Sequence, residues 1–323
     1  MDFEIQQYDG SSNMLGVISG EPNDVYHANP ALSSTESKDI DNPPLFEKKH
    51  VTGEIEREPK KCYDIGTATH ALLLEGEEAY RKQIAETDEV LTWRGASEKR
   101  NSIDIMSEFL IEPIDDIQKQ LLSKKNKDEI LDFFNRRRSR IILDAKERDQ
   151  LMKMKESAMN SADFMSLISG GYSELVFRTE TLSTGFGIQC KGDYVNFDKN
   201  YFFDLKTVDN LGKFWKDFEN LKYYYSAAYY LKTSNYLTGN IFDTFYFGVI
   251  EKQEPFDCIV LEIVDDANFE MAKEEVNVDF NLLQRYTEQG HFPRASEQGI
   301  TPIAVSDWVA KKIARKIQRF KNG

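Results

Sequence analysis

The period of the chain changes near residue 172. Upstream, over about 97–170, apolar residues recur at helical spacing in short charged pieces, 103–110, 115–122, 129–134 and 145–168. Downstream, residues 174–180, 186–195 and 201–207 form short runs rich in aromatic and β-branched side chains, divided by Gly, Asn and Asp. Such runs predict three strands. In the last of them, Asp204 and Lys206 follow Phe202 and Phe203, where a buried strand would continue with apolar residues. Residues two apart on a strand share a face, so Asp204 and Lys206 point one way and Leu205 the other. Antiparallel pairing through a turn at Asp198, Lys199 and Asn200 brings Asp193 beside Asp204. Two carboxylates that close raise one another's pKa unless a cation neutralises them. Hard oxygen donors select Mg²⁺, with Mn²⁺ a possible substitute. Lys206 is then placed to orient a nucleophile or neutralise charge on a phosphoryl group, and Glu174, one strand earlier, is a third candidate carboxylate. A surface hairpin with a cross-strand ion pair is the plainer alternative, because D-x-K alone is a short pattern.

The rest of the chain surrounds these strands with helices. Hydroxyl residues at 31–37 predict a short capped helix, and Asn42-Pro-Pro a halt. At DIGTATHALLLEG, Gly66 suggests a turn, Thr67 a cap and 68–84 a helix, which puts His70 near the helix start. A helix over 211–231, a strand pair at 244–250 and 257–263, and a helix over 266–289 follow. The segment 307–317 is amphipathic and basic. Strands flanked by helices imply an α/β protein built on a central mixed sheet, with 97–170 as a helical insertion. The expected division is a leader over 1–24, a main domain over 25–300 and a basic C-terminal helix over 301–323.

Composition narrows the classes. A net charge of −14 argues against wholesale nucleic-acid binding, since affinity for a duplex comes largely from Lys and Arg. Local basic clusters nevertheless occur at Arg94, Lys99 and Arg100, at Arg136 to Arg140, and from Lys311 to Lys321. Local potential, not the sum, is what a polyanion meets, although a charge run is also what a solvated face looks like. Cys62, Cys190 and Cys258 lack the spacing of a zinc knuckle or disulfide framework. No apolar run reaches membrane-spanning length and the start MDFEIQQYDG has no signal-like pattern, so a cytoplasmic protein is expected.

Taken in order, GTATHALLLEG, SELVF, GDYV, FDLKT and a Tyr-rich helix resemble the PD-(D/E)XK nuclease superfamily, and within it the RecE exonuclease (exodeoxyribonuclease VIII) type. The segment from Val25 to Ser33 resembles that family's YHxxPxxS opening, and TWRGASEKR, which contains Arg94, its polar loop. The resemblance covers about 25–310. It implies a PD-(D/E)XK core in which His70, Glu174, Asp193, Asp204 and the main-chain carbonyl of Leu205 reach a metal. Lys206 takes the catalytic lysine position, with Asp193, Asp204 and Glu174 as the catalytic acids. Tyr223, Ser226, Tyr230 and Arg94 become candidate substrate contacts, with Ser226 standing where the family usually has Gln. The implied activity is Mg²⁺-dependent 5′-to-3′ exonucleolysis of double-stranded DNA for recombination. The implied assembly is a homo-oligomeric ring working with a RecT-type annealing protein, in a bacterial or phage-infected cell. Two further readings stay open: an endonuclease or structure-specific nuclease on the same core, or a non-catalytic DNA-binding protein.

Overall fold

A computed structural model describes residues 3–55, 64–300 and 303–321; Cys62 lies outside the described residues. Nine strands are present among them. Seven form one sheet: β1 (Ile5–Gln7), β2 (Gly16–Ser19), β5 (Tyr172–Arg178), β6 (Gln189–Asn196), β7 (Tyr201–Val208), β8 (Thr244–Glu251) and β9 (Cys258–Glu262). Their spatial order is β1-β2-β5-β6-β7-β8-β9. Pairing is antiparallel from β2 through β7 and again between β8 and β9, but parallel between β1 and β2 and between β7 and β8. The sheet is therefore mixed, as the sequence predicts. β3 (Ile84–Glu86) and β4 (Ile141–Leu143) make a separate parallel pair.

In chain order the helices are α1 (Asn23–Ala28), α2 (Ser34–Ser37), α3 (Pro43–Phe46), α4 (Asp64–His70), α5 (Glu77–Gln83), α6 (Ala96–Ser107), α7 (Asp116–Leu122), α8 (Lys127–Asn135), α9 (Ala145–Asn160), α10 (Ala162–Leu167), α11 (Leu211–Asn220), α12 (Tyr223–Thr238), α13 (Ala267–Gln289) and α14 (Asp307–Lys321). Strand alternation sorts β7 between two layers. Phe202 and Val208 pack with Phe214 of α11, Tyr229 of α12 and Phe280 of α13. Tyr201, Phe203 and Leu205 pack with Met154 of α9 and Phe164 of α10 on the other face. Burying each of these aromatic side chains stabilises the fold by roughly 1.5–3 kcal/mol, which helps offset holding Asp204 and Lys206 within the same strand.

The expected leader over 1–24, irregular or β-containing by its sequence, supplies β1 and β2 to one end of the main sheet. Several local readings change. Asn42-Pro-Pro does not halt the chain but opens α3, because proline fits the first helical turn where its missing N–H is no loss. Gly66 lies inside α4, not at a turn, and faces Thr207 Oγ1 on β7, which a Cβ at this position would meet at 3.4 Å. The insertion is not purely helical. α6, α7 and α8 enclose a core of Ile103, Met106, Leu122, Ile130 and Phe134 to which Ile142 of β4 contributes. The helix expected over 211–231 is two, broken where Lys222 adopts a left-handed φ of 50°.

Candidate metal centre

β6 lies between two partners that both let go of it at one point. Against β5, Ser173 pairs with Tyr194 and Leu175 with Gly192, and the intervening Glu174 and Asp193 are not paired. Against β7, pairing runs from Asn196↔Tyr201 to Tyr194↔Phe203 and stops before Asp193 and Asp204. Cys190 and Val195 are an odd number of residues apart yet share one core, so the alternation of β6 is broken between them. Glu174 marks the same place on β5, with a left-handed φ of 51°, a conformation that is uncommon for a residue with a side chain.

Main-chain groups freed by this opening are taken up by side chains. The N–H of Leu205 donates to Asp193 Oδ2 at 2.7 Å, and the Leu205 carbonyl lies 2.8 Å from His70 Nε2. His70 Nδ1 is 3.5 Å from Asp193 Oδ2. His70 is the last residue of α4, not near a helix start, and a wide turn over Ala71–Glu75 carries the chain away to Gly76. α4 thus runs on through a π-helical turn to Glu75, and His70, at the junction, sets its imidazole against β7.

One ligand atom each from His70, Glu174 and Asp193 lie within 4.8 Å of one another. Burial pushes the Asp193 carboxyl up to about 7; Asp204 and Glu174 add to this, while His70 and Lys206 oppose it. Glu75 is likewise raised, first by burial and then by Glu174. Carboxyls crowded and dried in this way are stabilised in their charged form by a cation. An imidazole with carboxylate oxygens is a donor set that suits a divalent ion. The residues present thus fit a metal.

Beside this group, the Lys206 ammonium makes an ion pair with Asp204 Oδ2. That oxygen is buried and receives no well-oriented hydrogen bond. Burial pulls the Lys206 pKa down, but Asp204 and Asp193 more than offset this and hold the ammonium above its ordinary range. Asp204 thus stands next to the three-residue cluster, engaged with Lys206. The Leu205 carbonyl is occupied by His70.

The face of α12 carrying Tyr223, Ser226 and Tyr230 is directed at these groups. Lys206 Nζ lies 5.2 Å from the centre of the Tyr223 ring. The Tyr230 phenol is raised well above its usual pKa, first by burial and further by Asp204 and Asp193 among its neighbours, while its ring packs edge-on against Phe202 and Phe245. Ser226 accepts a hydrogen bond from Lys38. Arg94 is exposed just before α6, and among the described residues no hydrogen bond or ion pair ties it to the carboxylates. The run from Arg136 to Arg140 is largely consumed within the fold. Arg138 forms two bonds with Asp64 at 2.9 and 2.7 Å, Arg136 pairs with Asp132, and Arg137 covers the Phe133 ring.

Two lysines at the centre escape the sequence reading. Lys191, buried, reaches Glu174 Oε2 at 2.9 Å and Asn23 Oδ1 at 2.7 Å. Lys38 lies near Lys206 and Asp204. Lys191 sits two residues before Asp193, which is a signal of a kind; Lys38 offers none.

Residues 33–300 match the family described as PDDEXK-like domain of unknown function (DUF3799). This chain belongs to that PDDEXK-like family. Among solved structures, the PDDEXK-like chain is similar to a protein from Eubacterium rectale described as a candidate exonuclease, with 15% sequence identity and a TM-score of 0.53. That similarity covers 88% of this chain and 96% of the other. No curated protein matches the chain. Family and fold together support a nuclease for the PDDEXK-like chain, and PD-(D/E)XK nucleases are generally divalent-metal dependent. Among the described residues, no helix is long and apolar enough to cross a membrane.

Proposed function

We propose that the chain is a Mg²⁺-dependent deoxyribonuclease that hydrolyses double-stranded DNA from its ends in the 5′-to-3′ direction, with Mn²⁺ able to replace Mg²⁺. The observation that carries this reading is the meeting of His70, Glu174 and Asp193 within 4.8 Å, directly beside the Asp204–Lys206 pair. His70, Glu174, Asp193 and Asp204 would hold the ion. When bound, the ion supplies an acidified water and a polarised phosphoryl oxygen. Asp193 also fixes the Leu205 N–H, and His70 the Leu205 carbonyl, so these two side chains lock the strand that carries the acid and the lysine. Lys206, kept charged by its acidic neighbours, neutralises charge that builds on the phosphoryl oxygens. The same reading extends to a cytoplasmic setting in a bacterial or phage-infected cell, to recombination with a RecT-type annealing protein, and to a homo-oligomeric ring. A ring would let an acidic protomer gather its basic groups around the DNA.

The test is incubation of end-labelled linear duplex, blunt and overhanging, alongside a covalently closed circle, with Mg²⁺ or with chelator. Progressive loss of label order from the 5′ ends, with the circle intact and chelated samples silent, is the expected result. Nicking of the circle would make the protein an endonuclease. Duplex binding without cleavage under Mg²⁺ or Mn²⁺ would remove the enzymatic reading.

A further inference from the structure

Three ammonium groups meet at the start of α12, and two of them are neutralised. Lys206 pairs with Asp204. Lys222 pairs with Asp41 and Glu275 at 2.7 and 2.8 Å. The third, Lys38, arrives from the short helical turn that follows α2. Its ammonium donates to Ser226 Oγ at 2.7 Å and to the Leu221 carbonyl at 2.9 Å. Ser34 steadies the same hydroxyl from the other side, at 3.4 Å. Among the described residues no carboxylate lies within ion-pair distance of Lys38. Lys38 and Lys222 each lie 5.8 Å from the centre of the Tyr225 ring, which places two like charges on one aromatic side chain.

A half-buried ammonium held between like charges is unfavourable unless a negative partner arrives. Burial, with help from Lys206 and Lys222 and against Asp204 and Glu275, brings the Lys38 pKa down to about 8. Its two protein partners are neutral acceptors that fix its direction without cancelling its charge, and an ammonium has three donors. One therefore remains to be used.

We propose that Lys38 is a phosphate-binding residue, held by Ser226 and the Leu221 carbonyl so that its third N–H contacts a phosphodiester oxygen of the DNA strand lying in the carboxylate centre. This rests on the nuclease reading above, and makes Ser226 the holder of a substrate contact, not the contact itself. Lys38 is a substrate-positioning residue in this scheme and leaves the metal to the acids.

The experiment compares the parent with Lys38→Met, which keeps the apolar stem, and Lys38→Arg, which keeps the charge. Three quantities are read: affinity for a linear duplex oligonucleotide in Ca²⁺ as a function of salt, Mn²⁺ binding by calorimetry, and turnover in Mg²⁺. Lys38→Met is expected to weaken duplex binding by about 10-fold to 100-fold, the range for one charge-assisted hydrogen bond. It should also reduce the slope of log affinity against log salt by about 0.9, the loss of one phosphate contact. Mn²⁺ binding should stay at the parent value, and Lys38→Arg should recover most of the affinity and all of the slope. A Met variant that binds duplex with parental affinity and slope would overturn the proposal, as would an equal loss of Mn²⁺ binding, which would mark a structural role. A parent that cleaves while Lys38→Met behaves like it sinks this inference alone. A parent that neither cleaves nor binds duplex sinks the nuclease reading and this inference with it. Should Lys38→Met not fold, Lys38→Gln replaces it, with the same expected loss of slope.

Discussion

The two edges of β7 are built differently. Along β8 the parallel ladder runs unbroken from Tyr201↔Thr244 to Val208↔Glu251. Along β6 it covers only Tyr201, Phe202 and Phe203 and then opens. The closed edge holds the strand, and the open edge exposes what the strand carries. Asp204 and Lys206 belong to the closed ladder by their backbone, while Asp193 and Leu205 use the opening to exchange side-chain for main-chain bonds. Stability and chemistry are thus assigned to opposite sides of a single strand, and substitutions on the two sides should fail in different ways.

The sharpest separation is expected from Asp204→Ala and Lys206→Ala. Each should lower Mg²⁺-dependent degradation of linear duplex by roughly 10²-fold to 10³-fold, the scale of losing a group that stabilises a charged transition state. Thermal unfolding should shift little, because the ladder with β8 and the apolar layers on both faces stay in place. Lys206→Ala should still bind Mn²⁺. A large drop in melting temperature for either variant would show that the open edge also holds the fold.

Next in size is the response to pH. Folding moves the Asp193 carboxyl from its ordinary 3.8 up to about 7. Between those values the native state keeps a proton that the unfolded chain has lost, so this group's contribution to stability is largest below pH 4 and falls as pH rises through the window. The expected loss in metal-free protein is on the order of 2–4 kcal/mol. Urea titrations from pH 4 to 8 should show it, and Asp193→Asn should flatten the curve relative to the parent. Mn²⁺, which needs the charged carboxylate, should bind more tightly as pH rises through the same range and offset the fall. Equal pH profiles for parent and Asp193→Asn would place the opening's cost elsewhere.

On the closed edge, Gly248 faces Leu205 across the ladder, and a Cβ there would run into the Phe203 and Phe164 rings. Gly248→Ala should cost about 1–3 kcal/mol of stability, the usual penalty of overpacking, and leave specific activity of the folded fraction near the parent value. Comparing urea midpoints with initial rates checks both parts. Activity lost in excess of folding would mean that the closed edge also tunes the site.

How much of this arrangement the sequence discloses depends on whether the information is local. The strands around Asp193 and Asp204 are legible because they are short runs rich in aromatic and β-branched side chains divided by Gly, Asn and Asp, and the D-x-K face follows from a period of two. His70 is legible as a residue type but not in its position, since the helix that carries it starts earlier than its caps suggest and passes into a π-helical turn just after the imidazole. The pair β3 and β4 is three residues long on each side, too short for a periodic signal. Lys38 and Ser226 meet across 188 residues, and nothing near either one in the sequence points to the other. What is hidden is the set of contacts made by fold closure.

The smallest expected effect concerns the other strand that opens. Glu174 combines a candidate ligand with a left-handed backbone, so its role and its strain can be separated by two truncations. Both Glu174→Ala and Glu174→Gly remove the carboxylate and leave Lys191 without its ion-pair partner, and both should weaken Mn²⁺ binding alike. They differ in the backbone. Glycine ordinarily weakens a strand relative to alanine, but at φ of 51° the alanine Cβ costs roughly 1–2 kcal/mol that glycine does not. Glu174→Gly is therefore expected to be more stable than Glu174→Ala by about 1 kcal/mol in urea unfolding, the reverse of the usual order. If alanine proves equal or better, β5 relaxes to a regular strand once the acid is gone. The left-handed turn would then be imposed by the carboxylate's contacts with Lys191 and its neighbours, and the open edge would be a product of its charged groups, not a scaffold prepared for them.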